Sequence, residues 1–224
     1  MQKIYEDDNL LAANKPAGEN FYWALKERPE LLIVHRLDKE TSGVILFAKN
    51  EKAQEYLRDL FKSRLIQKSY KVLVVGKFKD NSGRIELSIG RSKKTPLKRV
   101  AIGEKRGTIR EALTEYKVIK RFNDFTFVEA LPKTGRTHQI RSHFAAIGHP
   151  VVCDKLYSGK RYMCPGGLAR QFLHASSIEF SLPASPAASQ GGPSGAKIKL
   201  EADMPEDLER ALQEIGTCDK NNKS

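Results

Sequence analysis

Short apolar runs bounded by turn residues constrain the fold of this chain more than any other feature of its sequence. They are rich in β-branched and aromatic residues, and their lengths are those of strands rather than helices. The runs are Val44–Ala48, Tyr70–Val75, Thr114–Lys120, Phe125–Leu131, Ile178–Leu182 and Ile198–Ala202. Asn123-Asp124 separates the third run from the fourth as in a β-hairpin, and the last two runs look like paired strands. The pattern predicts a sheet of mostly antiparallel strands.

Three segments instead have the apolar spacing of helices. Glu51–Leu65 follows Asn50, which is a favourable N-cap residue. Thr137–Ile147 is followed by Gly148, a residue type that commonly ends helices. Pro205–Ile215 predicts a short third helix. Because the strands outnumber the helices, we expect the α+β class with a largely antiparallel sheet.

A length of 224 residues suits one well-packed domain or at most two small ones. We expect a single domain over residues 1–215 and a disordered tail over 216–224. Ala184–Ala196 is rich in Ala, Ser, Pro and Gly, and we expect it to be a disordered loop. No apolar run reaches the roughly 18 residues of a membrane helix, and the apolar run near the N-terminus is too short for a secretory signal. We therefore expect a cytoplasmic protein.

The cysteine pattern gives no sign of covalent cross-links. Cys153, Cys164 and Cys218 form neither a CxxC pair nor an even-numbered framework. We expect reduced thiols, without a disulfide and without a cysteine-built zinc site.

The formal net charge of +12 is distributed unevenly. Eight basic residues fall between Arg91 and Arg110, where Glu104 is the single acid, whereas seven acids and one arginine fall between Glu201 and Asp219. A basic surface attracts polyanions, so nucleic acid is the natural partner. Charge alone leaves open the alternative of a basic protein without such a partner.

The densest polar cluster runs from His35 to Gly43, between two apolar runs. Asp38 is flanked by Arg36 and Lys39, whose positive charges favour its ionised form. A fixed carboxylate can act as a nucleophile or a general base. The alternative is a structural turn in which Asp38 and Thr41 cap backbone amides, and the residues alone leave both roles open.

A second cluster runs from Thr134 to His143 at the entry of the second predicted helix. Helix N-termini attract anions, and Arg136 and Arg141 add bidentate donors for phosphate or carboxylate. The alternative is a solvated helix start, which the absence of acids in the cluster disfavours. His138 and His143 are five residues apart, unlike the pair of a zinc helix. No serine-nucleophile elbow and no glycine-rich phosphate loop is present, so we expect neither a metal nor a nucleotide cofactor.

Several motifs occur together in one order along the chain. They are Asn14-Lys15-Pro16-Ala17-Gly18, His35-Arg36-Leu37-Asp38, Thr41-Ser42-Gly43, Lys68-Ser69-Tyr70, Gly135-Arg136-Thr137-His138-Gln139-Ile140-Arg141, Gly148-His149-Pro150 and Asp154-Lys155-Leu156-Tyr157. With these motifs, from about Ile4 to Leu212, the chain resembles the RluA-type pseudouridine synthases. The resemblance implies one catalytic domain with a mixed, mostly antiparallel sheet, flanking helices and a central cleft. It also implies isomerisation of uridine to pseudouridine in structured RNA without a cofactor.

The resemblance assigns roles to individual residues. It makes Asp38 the essential carboxylate and Tyr70 the ring that stacks on the target base. It implies that Arg141 pairs with the aspartate, with Arg136 as the alternative, and that Arg36 fills the gap left in the RNA. The full set of expected RNA-binding residues is His35, Arg36, Thr41, Lys93, Lys94, Arg99, Arg136, His138 and Gln139.

The expected substrate is ribosomal or transfer RNA, an alternative that the sequence leaves open, and a monomer is the expected state. The chain departs from relatives in the short stretch between Gly18 and His35. It is also expected to lack an N-terminal S4-like RNA-binding module. Two rival functions are a metal-dependent nuclease, which EDTA would inactivate, and a non-catalytic RNA-binding module, which would lack Asp38 or Tyr70.

Overall fold

A computed structural model describes residues 1–165, 167–182 and 195–221, with side chains described as far as residue 218. The chain divides into two compact units. One unit comprises Met1–Lys68 and Ala175–Asp203, and the other comprises Ser69–His174 and the chain from Met204 onward.

The elements follow one another in chain order. The strands are β1 Gln2–Glu6, β2 Leu10–Lys15, β3 Leu32–Ile33, β4 Ser42–Ala48, β5 Gln67–Val75, β6 Ser82–Glu86, β7 Ile89–Ser92, β8 Arg99–Val100, β9 Lys105–Arg110, β10 Leu113–Arg121, β11 Phe125–Pro132, β12 Leu173–Ser181 and β13 Lys197–Glu201. The helices are α1 Glu51–Lys62, α2 Gln139–Ala146 and α3 Glu206–Asn221, with 3-10 turns at Trp23–Lys26 and Gly159–Arg161. The α+β class is confirmed. Every strand pair described below is antiparallel.

In the first unit, β2 pairs with both β1 and β4, and β3 pairs with the end of β4. All seven residues of β4 are buried. Leu57 and Leu60 of α1 pack in the same apolar cluster as Phe180 and Leu200. The predicted pairing of the two late strands is confirmed, since β12 and β13 pair in a register that sets Ile178 against Leu200.

The predicted helix over Glu51–Leu65 forms, but it ends earlier. Asn50 is its N-cap, and the side-chain oxygen accepts a hydrogen bond from the backbone N–H of Ala53 at 2.9 Å. The helix ends at Lys62 because Arg64 adopts a left-handed conformation with φ 60°. Leu65 is consequently exposed, and Ile66 joins the core.

In the second unit, the strands lie in the order β5-β11-β10-β6. The predicted hairpin is confirmed as β10 and β11, and Phe122 N–H donates to the Phe125 carbonyl to close it. Helix α2 begins at Gln139 rather than Thr137 because His138 has φ 56°, which a right-handed helix excludes. Phe144 of α2 packs on the sheet with Val72 and Val128.

The Gly and Pro residues and the weak periodicity of the basic residues 91–110, called the basic insert here, predict an extended excursion. These residues instead form most of a separate three-stranded sheet, in which β7 pairs with β8 and β9. Most of β9 is exposed on both faces. The alternation of apolar and polar residues that reveals half-buried strands is therefore missing from this segment.

The expectation of reduced thiols is wrong for two of the cysteines. Cys153 and Cys164 form a disulfide with their Cα atoms 4.6 Å apart, and Cys218 is free and exposed. Cys153 N–H donates to the Met163 carbonyl at 2.9 Å, so the folded loop itself brings the two cysteines together. A separation of 11 residues in sequence carries no signal for such a contact.

The third predicted helix is longer than expected. It runs from Glu206 to Asn221, beyond the predicted end at Ile215. Leu208, Ala211 and Ile215 bury its apolar side in the second unit. Most of the predicted loop at 184–196, and residues 222–224, lie outside the described residues. Along the described chain, no helix combines the length and apolarity needed to cross a bilayer.

Gly43, the second residue of β4, is under a severe steric constraint. Its φ is +116°, and a Cβ atom there would lie 2.1 Å from the backbone oxygen of Ala175. Backbone atoms cannot move aside as a flexible side chain can. Only glycine therefore fits between β4 and this neighbouring backbone.

We predict that Gly43→Ala lowers the free energy of unfolding by about 3 kcal/mol or more, through backbone strain and overpacking together. Gly103→Ala is the matched control, because Gly103 also has a positive φ of +97° but has open space around the added Cβ. It should lower stability by only about 1 kcal/mol. Urea denaturation of both variants measures the difference, and equal losses would contradict the steric argument.

Candidate active-site residues

A buried lysine fastens the chain segment that carries Asp38. Lys15 ends β2 with no exposed surface, and its Nζ donates to the carbonyl oxygens of Pro16 and Glu19 at 2.7 Å and of Lys39 at 3.0 Å. An ammonium group is tolerated in the interior only with such partners. The Asn-Lys-Pro-Ala-Gly loop and the peptide that follows Asp38 are therefore held by one cation.

Backbone hydrogen bonds complete the turn around Asp38. Gly18 N–H donates to the Lys39 carbonyl, and Thr41 N–H donates to the Asp38 carbonyl, both at 3.0 Å. Thr41 itself is buried, with 2% of its surface exposed. The segment thus has a fixed backbone. The catalytic role of Asp38 stays a prediction at this point.

His35 anchors the same segment to β4. Its Nε2 accepts the backbone N–H of Leu46 at 2.9 Å, and its ring lies 4.6 Å from that of Phe61. Burial lowers the pKa of His35 to about 3, and the positive charge of Lys68 adds to the effect. A ring nitrogen that accepts a hydrogen bond must be unprotonated, so the imidazole is neutral with its proton on Nδ1. These contacts give a structural role to a residue that we predicted to bind RNA.

Arg36, by contrast, is exposed. Its guanidinium carbon lies 5.0 Å from the centroid of the Phe21 ring, within cation–π range. The sequence did not single out Phe21. The ring gives the long arginine side chain a preferred direction without neutralising its charge.

In the second unit, Arg141 forms a buried ion pair with Asp154. The guanidinium donates from Nε to Oδ2 at 2.7 Å and from Nη2 to Oδ1 at 3.0 Å, and the carboxylate is fully buried. Asp154 Oδ1 also accepts the backbone N–H groups of Leu156 and Tyr157. This forked pair fixes the direction of the Arg141 side chain. Sequence reasoning quoted Asp154 only within a motif and missed this contact.

Tyr157 is the centre of a second set of contacts in this unit. Its hydroxyl lies 3.0 Å from His138 Nδ1 and accepts the backbone N–H of Arg99 at 2.9 Å. The Arg141 guanidinium and the Lys98 ammonium each lie 5.0 Å from its ring centroid. One aromatic side chain therefore joins α2, the basic insert and the loop after Cys153.

Gln139 is buried, and both ends of its amide are hydrogen-bonded within the second unit, whereas its contact with RNA stays a prediction. Its Oε1 accepts from Thr134 Oγ1 and Arg136 N–H, and its Nε2 donates to the Leu113 carbonyl and Thr114 Oγ1. With 4% of its surface exposed, it ties the loop before α2 to β10. Arg136 Nε donates to the Glu111 carbonyl at 3.1 Å.

Tyr70 and the lysines of the basic insert retain exposed surface. Tyr70 pairs with Ala130 across β5 and β11 and packs partly buried against the apolar core of the second unit. Lys93 and Lys94 are exposed, and Lys93 Nζ lies 3.8 Å from a carboxylate oxygen of Glu104. The insert therefore carries its charge at the surface, where phosphates could meet it.

Comparisons with known proteins identify the family of the chain. The family model described as RNA pseudouridylate synthase matches residues 9–146. The ribosomal large subunit pseudouridine synthase C of Vibrio vulnificus is 36% identical over 231 residues, which cover 96% of this chain and 69% of that protein. The ribosomal large subunit pseudouridine synthase C of Escherichia coli K12 is 33% identical over 231 residues, which cover 95% of this chain and 69% of that protein.

Solved structures show the same architecture. Human RNA Pseudouridylate Synthase Domain Containing 1 superposes with a TM-score of 0.75 and 26% identity, over 91% of this chain and 83% of that one. Human RNA Pseudouridylate Synthase Domain Containing 4 superposes with a TM-score of 0.74 and 21% identity, over 96% of this chain and 93% of that one. This second likeness concerns the fold alone. The fold is thus that of the pseudouridine synthases. The chain belongs to the RNA pseudouridylate synthase family, and it is an RNA-acting isomerase.

We predict that His35 makes the stability of the protein depend on pH in mildly acidic solution. The unfolded chain takes up a proton at His35 near pH 6.5, whereas the folded chain does so only near pH 3. The unfolded state therefore binds more protons between these values, and stability falls as the pH is lowered from 6.5.

His35→Gln should reduce this pH dependence by close to one proton. Urea denaturation at intervals between pH 4.5 and pH 8 measures it. Between pH 7 and pH 8 the two proteins should have parallel profiles, because His35 is neutral there in both states. A variant that keeps the full acidic slope would show that His35 is not held neutral.

Proposed function

We propose that this enzyme converts particular uridines of large-subunit ribosomal RNA to pseudouridine, with Asp38 as its essential carboxylate. The observation that carries the proposal is the His35-Arg36-Leu37-Asp38 motif, which lies within the region matched by the family. The relatives above are named for the large ribosomal subunit, and this supports the choice of substrate. The hydrogen bonds of Lys15 support a fixed position for the Asp38 backbone.

The reaction breaks the bond between ribose C1′ and uracil N1, turns the base and joins C1′ to C5. The C5 proton is lost, and N1 gains a proton. The product is an isomer of the substrate, so no electrons are gained or lost. A base stacked in RNA can neither turn nor expose C1′, so the uridine must first leave the stack. The enzyme must also retain the detached uracil until it is rejoined.

The site residues divide this work. Asp38 attacks C1′ or removes a ribose proton, and both routes need its ionised carboxylate. Tyr70 stacks on the extruded base. Arg141 orients the aspartate, and its forked contact with Asp154 favours it over Arg136, since it gives Arg141 the rigidity that an orienting group needs.

Other residues hold the RNA. Arg36 fills the place of the extruded base, supported from the side by Phe21. Lys93, Lys94 and Arg99 of the basic insert contact phosphates. We propose RNA contacts also for Thr41, Arg136 and His138, whereas His35 and Gln139 act by holding the segments that carry these groups. A cytoplasmic location and a monomeric state stay predictions.

We predict that Asp38→Asn abolishes pseudouridine formation and leaves RNA affinity within about twofold, because the amide is nearly isosteric but cannot act as a nucleophile or base. The assay measures pseudouridine in transcribed large-subunit ribosomal RNA after incubation with the enzyme. Asp59→Asn, an exposed position on α1, is the matched control and should retain full activity. Substantial turnover by Asp38→Asn would remove Asp38 from its role.

We also predict that the basic insert sets the salt dependence of RNA binding. Replacing Lys93, Lys94 and Arg99 by Gln lowers the formal net charge from +12 by three, to +9. If each contacts a phosphate, the slope of log affinity against log salt should become shallower by about 2. The control replaces Lys26, Lys52 and Lys62, three exposed lysines outside the insert, and makes the same change in net charge. If both triple variants changed the slope equally, the insert would act only through its contribution to the net charge of the protein.

The target uridine can be found by mapping pseudouridines in ribosomal RNA from cells that lack this protein. One or a few positions in the large subunit should lose the modification, and the purified enzyme should restore it. Loss confined to transfer RNA would refute the proposed substrate while leaving the isomerase activity intact.

A further inference from the structure

The turn between β7 and β8 is held in one conformation by its own hydrogen bonds. Ser92 is buried, and its Oγ accepts the backbone N–H groups of Lys94 and Thr95 at 3.2 and 3.1 Å. Ser92 N–H donates to the Lys98 carbonyl at 3.0 Å, and Lys98 N–H donates to the Thr95 carbonyl at 2.9 Å. The turn is therefore ordered before any ligand binds.

An apolar side chain occupies this turn. Leu97 is 79% exposed, the largest fraction among the large hydrophobic side chains of the described chain. Single exposed leucines are common on protein surfaces, so exposure alone indicates nothing. Here, however, the leucine follows Pro96 and has Lys94 on one side and Lys98 and Arg99 on the other. An apolar tip flanked by cations matches the two components of stacked RNA, its bases and its phosphates.

The base of the turn is connected to the proposed catalytic residues. Arg99 N–H donates to the Tyr157 hydroxyl, and the Lys98 ammonium lies 5.0 Å from the Tyr157 ring. The same ring lies 5.0 Å from the Arg141 guanidinium. A force applied to the turn by RNA would therefore be resisted by side chains of the second unit that are themselves fixed by Asp154.

We propose that Leu97 is an apolar wedge that enters the base stack of the substrate RNA and separates neighbouring bases while the target uridine is extruded. The inference rests on the proposed function, because it takes RNA as the substrate. Unstacking a base step costs free energy, and an inserted leucine offsets part of that cost by covering the exposed base faces. Lys93 and Lys94 hold the adjacent phosphates while the leucine enters.

The decisive experiment compares two forms of one substrate. Both are transcripts of the large-subunit ribosomal RNA segment with the mapped uridine. One has the native fold, and the other carries the uridine in an engineered bulge where it is already unstacked. The variants are Leu97→Ser, which removes the apolar tip, and Leu97→Met, which keeps it. Ile119→Ser is the control, because Ile119 is also exposed but lies on β10, outside the insert.

Leu97→Ser should lower kcat/KM on the native fold by roughly tenfold and on the bulged form by less than about twofold. Leu97→Met should restore activity to within about twofold of the original, and Ile119→Ser should change neither substrate. The melting temperature of Leu97→Ser should be unchanged, since the side chain contributes little to the core. Equal losses on both RNA forms, or no loss on either, would overturn the wedge.

A second measurement separates this inference from the proposed function. If the unaltered enzyme forms no pseudouridine in either RNA, the proposed function has failed. The wedge is then tested by the fluorescence of 2-aminopurine placed in the stem of a synthetic RNA stem–loop. Saturating enzyme should raise this fluorescence, and saturating Leu97→Ser should raise it much less. The same rise with both proteins would refute the wedge.

Discussion

The forked contact between Arg141 and Asp154 is the interaction on which the second unit is organised. The buried carboxylate receives the guanidinium on one side and two backbone N–H groups of its own turn on the other. That turn positions Tyr157, and Tyr157 in turn contacts His138 and the basic insert. Removing one partner of such a buried pair typically costs about 3–5 kcal/mol. The residues proposed to act on RNA thus depend on a buried carboxylate.

The first unit follows the same rule with different chemistry. Lys15 is buried and donates to three backbone carbonyls, and His35 accepts a backbone N–H as a neutral ring. Both side chains hydrogen-bond to the main chain. The backbone of the segment that carries Asp38 is therefore held through its peptide groups.

Much of this could be predicted from the sequence, and the failures have physical causes. Strands that bury one face, such as β11, can be predicted from their alternation of apolar and polar residues. Asn50 and Gly148 indicate helix ends because their residue types have local backbone preferences. The sheet of the basic insert gave no pattern because β9 is exposed on both faces. The cysteine pair and the Asp154 fork depend on contacts made only in the folded chain. His35 and Gln139 are predicted from their motifs to contact RNA, and their hydrogen bonds to backbone groups of distant residues are contacts that the motifs do not reveal.

The neutral state of His35 has a consequence for how the enzyme meets its surroundings. Histidine is the side chain that most often changes its charge within the physiological range. Here the ring keeps the same electrical state through any acidification that a living cell tolerates, because its pKa is about 3. In the folded protein, the stretch of chain leading to Asp38 therefore contains a histidine whose charge does not change with pH in the physiological range.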